Sequence, residues 1–211
     1  MSKVLYVTAN PKPVEKSFGL TVGNVFLNEY KNCNPQDEII HLDVYAMNIQ
    51  LVDKDVLNTW EKLPKGVRFA DLSEIEKKKL LEINAATELF LSADKYIFVS
   101  PLWNLGVPPM LKAYIDNVVI VGKTFKYTAN GPVGLLKNKK AMHIQSCGGI
   151  YSQGPAADYE GGNRYLKTIL GFMGVADIQT LFVEGTNLDP NKADEIKAQG
   201  SAKALELAKE F

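Results

Sequence analysis

The sequence predicts an α/β fold: a doubly wound, five-stranded parallel sheet in the order 2-1-3-4-5, with a β-hairpin insertion. Three observations predict it. Strand signals alternate with helix signals along the whole chain, the pattern of a parallel sheet built from crossover units. Five such strand segments are present, each followed by a helical segment. The first strand-to-helix turn lacks Gly-x-Gly-x-x-Gly, which argues against a dinucleotide-binding strand order and leaves 2-1-3-4-5.

The elements follow in order. The first strand is Lys3–Thr8, and a helix starts near Ser17 with Phe18, Val22, Val25 and Phe26 at i, i+4, i+7 and i+8. The second strand is Glu38–Val44. Residues 45–70 read as irregular, with a short helix over Asp53–Leu63. A charged helix over Leu72–Leu91 is expected to be solvated on its Glu76-Lys-Lys-Lys79 face. The third strand, Lys95–Ser100, feeds a helix over Pro108–Val121 with Leu111, Tyr114, Ile115 and Val118 on one face. Thr124–Leu136 contains Asn130-Gly131, a hairpin signal. The fourth strand is Lys140–Gln145. Its helix covers Asp158–Gly174, with Leu166, Ile169, Leu170 and Met173 aligned. The fifth strand is Ile178–Glu184, and a last helix begins near Asn191.

Bulk properties narrow the function. A single domain of 211 residues is expected, large enough to bury roughly 70% of its unfolded surface. Lys+Arg and Asp+Glu both total 24, so the formal net charge is zero. Bulk charge therefore points to no nucleic-acid or membrane-surface partner, and it disfavours an acidic carrier that docks by electrostatics. The first residues lead directly into a strand rather than a signal peptide. No apolar run reaches the ~20 residues of a membrane span. Cys33 and Cys147 lack metal-type spacing, and His41 and His143 are isolated. A reduced, cytoplasmic protein without a metal site is the expectation.

Three loops could carry chemistry, and all lie at carboxyl ends of strands, where open α/β sheets bind ligands. The first is Thr8–Gly19. Ser17 either only caps the following helix or also helps its free N–H groups and macrodipole hold a phosphate. No Walker pattern is present, which makes triphosphate hydrolysis an unsuitable reading. The second is Pro101–Pro108, with Leu102, Trp103 and Leu105 as an apolar wall and Asn104 plus backbone N–H groups as hydrogen-bond partners for a flat ring. Its alternative is a proline-stiffened turn with Trp103 in the core. The third is Gln145–Tyr151, where Gly148 and Gly149 let the backbone approach a ligand and face carbonyl oxygens that gain negative charge. A ligand with a phosphate at one end and a flat polar-edged ring at the other is implied. FMN fits; NAD fits less well, for want of the glycine fingerprint and of a strong acidic residue after the second strand, Asp43 being a weak one.

These residues resemble the FMN-dependent NADH azoreductases, also described as NADH:quinone oxidoreductases, of the flavodoxin-like superfamily. The resemblance runs through Lys3-Val-Leu-Tyr-Val, Ser17-Phe-Gly, Pro101-Leu-Trp-Asn-Leu-Gly and Leu111-Lys-Ala-Tyr-Ile-Asp. It continues through Gly122-Lys-Thr-Phe-Lys-Tyr-Thr-Ala-Asn-Gly-Pro-Val-Gly-Leu, Ser146-Cys-Gly-Gly-Ile and Leu170-Gly-Phe-Met-Gly-Val. It implies a homodimer with one FMN per subunit and active sites near the interface. The phosphate would be held by the Ser17 turn, with Asn10, Phe18 and Gly19. Pro101, Leu102, Trp103, Asn104 and Leu105 would line the flavin ring. Ser146, Cys147, Gly148 and Gly149 would border its pyrimidine end. Phe125, Tyr127, Tyr151 and Phe172 would shape the pocket in which nicotinamide and acceptor stack in turn. One departure is the proline-rich run Asn10-Pro-Lys-Pro-Val, where many relatives carry serines.

The resemblance thus implies two-electron transfer from NADH to quinones and azo compounds by a ping-pong scheme, with no essential side-chain acid or base. Protons would come from water, Tyr127 or Tyr151. His143 reads as an ordinary strand residue and Cys147 as a small filler. No arginine pair suits a 2′-phosphate, which favours NADH. A flavodoxin-like electron carrier, an NAD(P)H:FMN or chromate reductase of the same fold, and a nucleotide-binding regulator stand as alternatives.

Overall fold

The computed structural model describes residues 1–189 and 191–211. In chain order the elements are β1 (Lys3–Thr8), α1 (Phe18–Cys33), β2 (Glu38–Asp43), α2 (Lys54–Lys62), α3 (Glu74–Ser92), β3 (Lys95–Pro101), α4 (Pro109–Val118), β4 (Phe125–Thr128), β5 (Gly131–Gly134), β6 (Lys140–Ser146), α5 (Gly162–Met173), β7 (Asp177–Val183) and α6 (Ala193–Glu210). β4 and β5 form the inserted antiparallel hairpin. The other strands make one parallel sheet ordered β2-β1-β3-β6-β7. Counting only its own strands, that is the predicted order 2-1-3-4-5.

Successive residues of a strand point to opposite faces, and both faces are apolar here. Val4 and Tyr6 of β1 join Ile97 and Val99 of β3 against Phe26 and Tyr30 of α1 and Ala204 and Ala208 of α6. Leu5 and Val7 join Tyr96 and Phe98 against Phe90 of α3, Tyr114 and Ile115 of α4 and Leu166 and Leu170 of α5. The crossover helices cover the sheet, and its carboxyl edge is left to the loops.

Several boundaries differ from the sequence reading, each for a tertiary reason. α4 stops at Val118 because Thr124 takes over: its Oγ1 accepts from the Ile120 N–H and donates to the Val118 carbonyl, both at 2.9 Å. α5 begins at Gly162, not Asp158, because the Glu160 carboxylate accepts the N–H groups of Asn163 and Arg164 at 2.7 and 3.0 Å. α3 begins after Ser73, which forms a capping box with Glu76. The Glu76–Lys79 face is not simply solvated. Glu76 is buried and accepts from Lys62 Nζ at 2.6 Å, and Lys79 Nζ reaches Asp53 and Asp55 at 2.6 Å each. These pairs clamp α2 onto α3. The hairpin turns at Ala129-Asn130, one residue earlier than expected, and Gly131 enters β5 at φ 102°.

The hairpin rests on the carboxyl end of α5, where the Leu136 N–H donates to the Met173 carbonyl at 2.8 Å. Gly134 makes that approach possible, because a Cβ there would overlap the backbone of Met173 and Gly174. The substitution Gly134→Ala should therefore lift the hairpin and cost about 1–3 kcal/mol, read as a lower urea midpoint. An unchanged midpoint would mean that the contact carries no load.

Candidate active site

The loops after β1, β3, β6 and β7 enclose two contiguous cavities of about 270 and 550 Å³, which share Leu102, Cys147, Gly148 and Asn187. The smaller is lined by Asn10, Lys12, Lys16, Ser17 and Phe18 at one end and by Pro101, Trp103, Ser146 and Thr186 at the other. The larger continues past Asn104, Leu105, Gly149, Tyr151 and Leu188. No carboxylate lines either cavity.

The first end is rich in hydrogen-bond donors. Ser17 caps α1: its Oγ accepts from the Leu20 N–H at 3.3 Å and from Asn10 Nδ2 at 3.0 Å. With both bonds accepted, its hydroxyl hydrogen is left for the cavity. The N–H groups of Phe18 and Gly19, first in the helix, have no intrahelical partner. Asn10 is itself fixed by accepting from the Lys12 N–H at 3.0 Å. Gly19 lies against Ser146, and a Cβ there would stand 2.7 Å from the serine Oγ. Capping and cavity lining are thus both properties of Ser17.

The wall is a strained turn. Trp103 and Gly106 exchange backbone hydrogen bonds of 3.0 and 2.9 Å around Asn104 and Leu105, which sit at φ 47° and 65°. Left-handed backbone at a leucine costs on the order of 1–2 kcal/mol. The Leu102 N–H, donating to the Ser146 carbonyl at 2.8 Å, helps to hold the turn in place. Trp103 is 37% exposed and meets Tyr45 edge-on at 6.1 Å, so it stands at the cavity and not in the core.

Gly148 and Gly149 complete the other side. Asn187 packs on Gly148 so closely that a Cβ there would lie 2.5 Å from its Nδ2. The N–H groups of Asn187 and Gly185 bond to the carbonyls of Gly148 and Gly149 at 3.0 and 2.9 Å. Glu184 braces the same loop, accepting the N–H groups of Tyr151 and Ser152 at 2.9 Å each. Burial, together with the nearby Glu184 carboxylate, pushes the Cys147 thiol up to about 12. The thiol stays protonated and donates to the Gly149 carbonyl at 3.2 Å, as suits a packing residue rather than a nucleophile.

A polar chain links β3, β6, α5 and β7. His143 Nε2 is 2.9 Å from Ser100 Oγ, and its Nδ1 is 3.0 Å from Asn163 Oδ1, which also accepts from Thr180 at 2.9 Å. The Asn163 oxygen assigns the imidazole hydrogen to Nδ1 and leaves Nε2 to accept from Ser100. Burial holds His143 down at about 4, so the ring is neutral and structural.

The structure separates the expected acceptor pocket. Tyr151 lines the larger cavity, but Phe125, Tyr127 and Phe172 do not. α5 runs from Gly162, beside Leu102, away from the cavity, and ten residues of helix carry Phe172 about 15 Å down it. Phe125 packs on Phe172 at 4.6 Å, and Tyr127, 71% exposed, packs edge-on against Phe125 at 5.5 Å. Phe125 and Tyr127 line a different, apolar cavity of about 490 Å³ with Trp60, Leu80 and Ile83. Residues that sequence reasoning missed are Lys12, Lys16, Thr186, Asn187, Leu188 and the bracing Glu184. Glu184-Gly-Thr-Asn187 follows the fifth strand, so the rule that found the other loops also covers this one.

His143 generates an acid-stability signature. Between its ordinary value of 6.5 and about 4 the unfolded chain takes up a proton that the folded chain refuses. Stability is complete above this window and falls as the pH drops through it, by on the order of 3 kcal/mol. Urea titrations across that range should show the slope, and His143→Asn should flatten it.

The profile of the family described as flavodoxin-like fold matches residues 2–208. Over 211 residues, all of both chains, the sequence is 50% identical to the FMN-dependent NADH:quinone oxidoreductase 2 of Bacillus cereus. It superposes on the crystal structure of an azoreductase from Bacillus anthracis with a TM-score of 0.93, at 40% identity and full coverage of both chains. A second Bacillus anthracis structure, an FMN-dependent NADH-azoreductase in complex with FMN, gives 0.88 at 34% identity over 99% of this chain and all of that one. The chain belongs to the flavodoxin-like family, with the FMN-dependent NADH:quinone oxidoreductases and azoreductases that it resembles over its whole length.

Proposed function

We propose that this protein is an FMN-dependent oxidoreductase that passes two electrons from NADH to quinones and to azo compounds, cleaving the latter reductively. The observation that carries the reading is the paired cavity, with donors and no carboxylate at one pole, an apolar wall along it and glycine backbone at the other. That donor set fits FMN. Asn10, Ser17, Phe18 and Gly19 would hold the phosphate, Pro101 to Leu105 would flank the ring, and Ser146 to Gly149 would border the pyrimidine end. The relatives named for this cofactor and this reaction support the assignment.

FMN, when bound, supplies the hydride-accepting and hydride-donating chemistry. The chain's own residues orient and shelter. Leu102, Trp103 and Leu105 would exclude water from one face of the ring, and the turn would hold the Asn104 amide as its hydrogen-bond partner. The N–H groups of Gly148 and Gly149 would be the donors for the flavin oxygens that gain negative charge on reduction. Neither Cys147, held protonated, nor His143, buried and neutral, moves a proton to the substrate. Water and the Tyr151 hydroxyl are the proton sources in this reading.

Phe125, Tyr127 and Phe172 complete the acceptor pocket only from a second copy, since one chain holds them on another face. The working form is therefore a homodimer, each hairpin serving the other subunit's cavity. Residues 1–211 form one FMN-binding domain. Both cysteines are free, which suits the reducing cytoplasm; among the described residues no helix is long and apolar enough to cross a membrane.

Two measurements test this reading. Initial rates with NADH and a quinone should give parallel double-reciprocal lines, because donor and acceptor use one site in turn; intersecting lines would overturn the scheme. Ser17→Ala should weaken FMN binding by roughly 1–3 kcal/mol through loss of a hydrogen bond to a charged group, read by flavin fluorescence titration of apoprotein. Unchanged affinity would move the phosphate elsewhere.

A further inference from the structure

We propose that Lys12 and Lys16 supply the counter-charge that makes this site select a phosphorylated flavin over an unphosphorylated one. The inference rests on the FMN reading above and concerns the pole of the smaller cavity at the start of α1. A phosphate monoester carries about −1.5 to −2 at neutral pH. The N-terminus of α1 offers roughly half a positive charge, and Ser17 and Asn10 offer dipoles only. Without further cations, burying the phosphate there would leave most of its charge unmatched.

Lys12 and Lys16 are the charged side chains that line the smaller cavity, and they line it at the pole that holds Ser17 and Phe18. Among the described residues neither forms an ion pair. Their backbone is fixed in advance. Lys12 lies between Pro11 and Pro13 with its N–H bonded to Asn10, and Lys16 closes a short 3-10 turn whose N–H bonds back to the Pro13 carbonyl at 3.0 Å. Glu15, between them in sequence, is exposed and does not line the cavity. A chain with no net charge thus concentrates two positive charges, and no negative one, around the pole suited to a dianion.

The test is equilibrium binding of FMN and of riboflavin to apoprotein, followed by quenching of flavin fluorescence. Lys12→Gln and Lys16→Gln should each weaken FMN about five- to tenfold and leave riboflavin within about twofold, and the double variant should bring the two affinities together. Raising NaCl from about 50 to 500 mM should erode the wild-type preference for FMN. Lys12→Arg with Lys16→Arg should restore that preference, and Lys31→Gln, at the far end of α1, should leave it unchanged. FMN affinity that is unmoved by the double variant would overturn this inference while leaving the FMN reading intact. An apoprotein that binds neither flavin would overturn both.

Discussion

The structure turns on the pairing of β3 with β6 at its carboxyl end. Their register runs from Lys95 opposite Lys140 to Pro101 opposite Ser146. It is carried one bond beyond the strands, where the Leu102 N–H meets the Ser146 carbonyl at 2.8 Å. Ser146 is therefore a meeting point. Its carbonyl anchors the turn that carries Trp103 and Asn104, its side chain abuts Gly19 at the start of α1, and the Cys147–Gly149 loop leaves from it. Loops far apart in sequence face one another because a parallel sheet brings all carboxyl ends to one edge. A one-residue slip between β3 and β6 would turn every core side chain of one strand outward, so the hydrophobic core on both faces fixes the geometry of the cavity as well.

The same edge holds strain and pays for it with packing. Asn104 and Leu105 in left-handed backbone are unfavourable in an isolated peptide. Here the Trp103–Gly106 hydrogen bonds and the close contact of Gly161 with the Leu105 carbonyl leave the turn no alternative. Gly148 is pressed by Asn187, and Glu184 bonds to two backbone N–H groups of the neighbouring loop. Such over-determined backbone suits a ligand held by N–H groups, because the donors are placed before the ligand arrives and the ordering cost of binding is smaller.

How far the sequence predicts all this depends on the range of the forces involved. The strands were legible because apolar runs buried on both faces are a local property, and the strand order because the first loop lacks the dinucleotide fingerprint. Ser17, the Trp103 turn and Gly148-Gly149 were legible because cap residues, prolines and paired glycines act within a few positions. The ends of α4 and α5 were not, since Thr124 and Glu160 stop or start them by side-chain bonds that helical periodicity does not encode. The Glu76–Lys79 face looked solvated because its partners, Lys62, Asp53 and Asp55, lie on another helix. For Phe125, Tyr127 and Phe172, family resemblance implied a place in the acceptor pocket, but in this chain they line neither cavity, and Phe125 and Tyr127 line another.

The thiol and the imidazole that could have served as nucleophile or acid are silenced. Cys147, which could have been a thiolate, is kept a thiol by its burial and by Glu184. His143, which could have been an acid at neutral pH, is buried and committed to Ser100 and Asn163. No carboxylate lines the space. A site that relied on its own side chains for covalent or acid–base work would not be built this way. One that leaves the reaction to a bound flavin has reason to be, since a stray thiolate would react with an electrophilic quinone and a carboxylate facing into the cavity would repel both the phosphate and a reduced, negatively charged ring. What remains to the protein is shape, backbone donors and a charge bias confined to one pole.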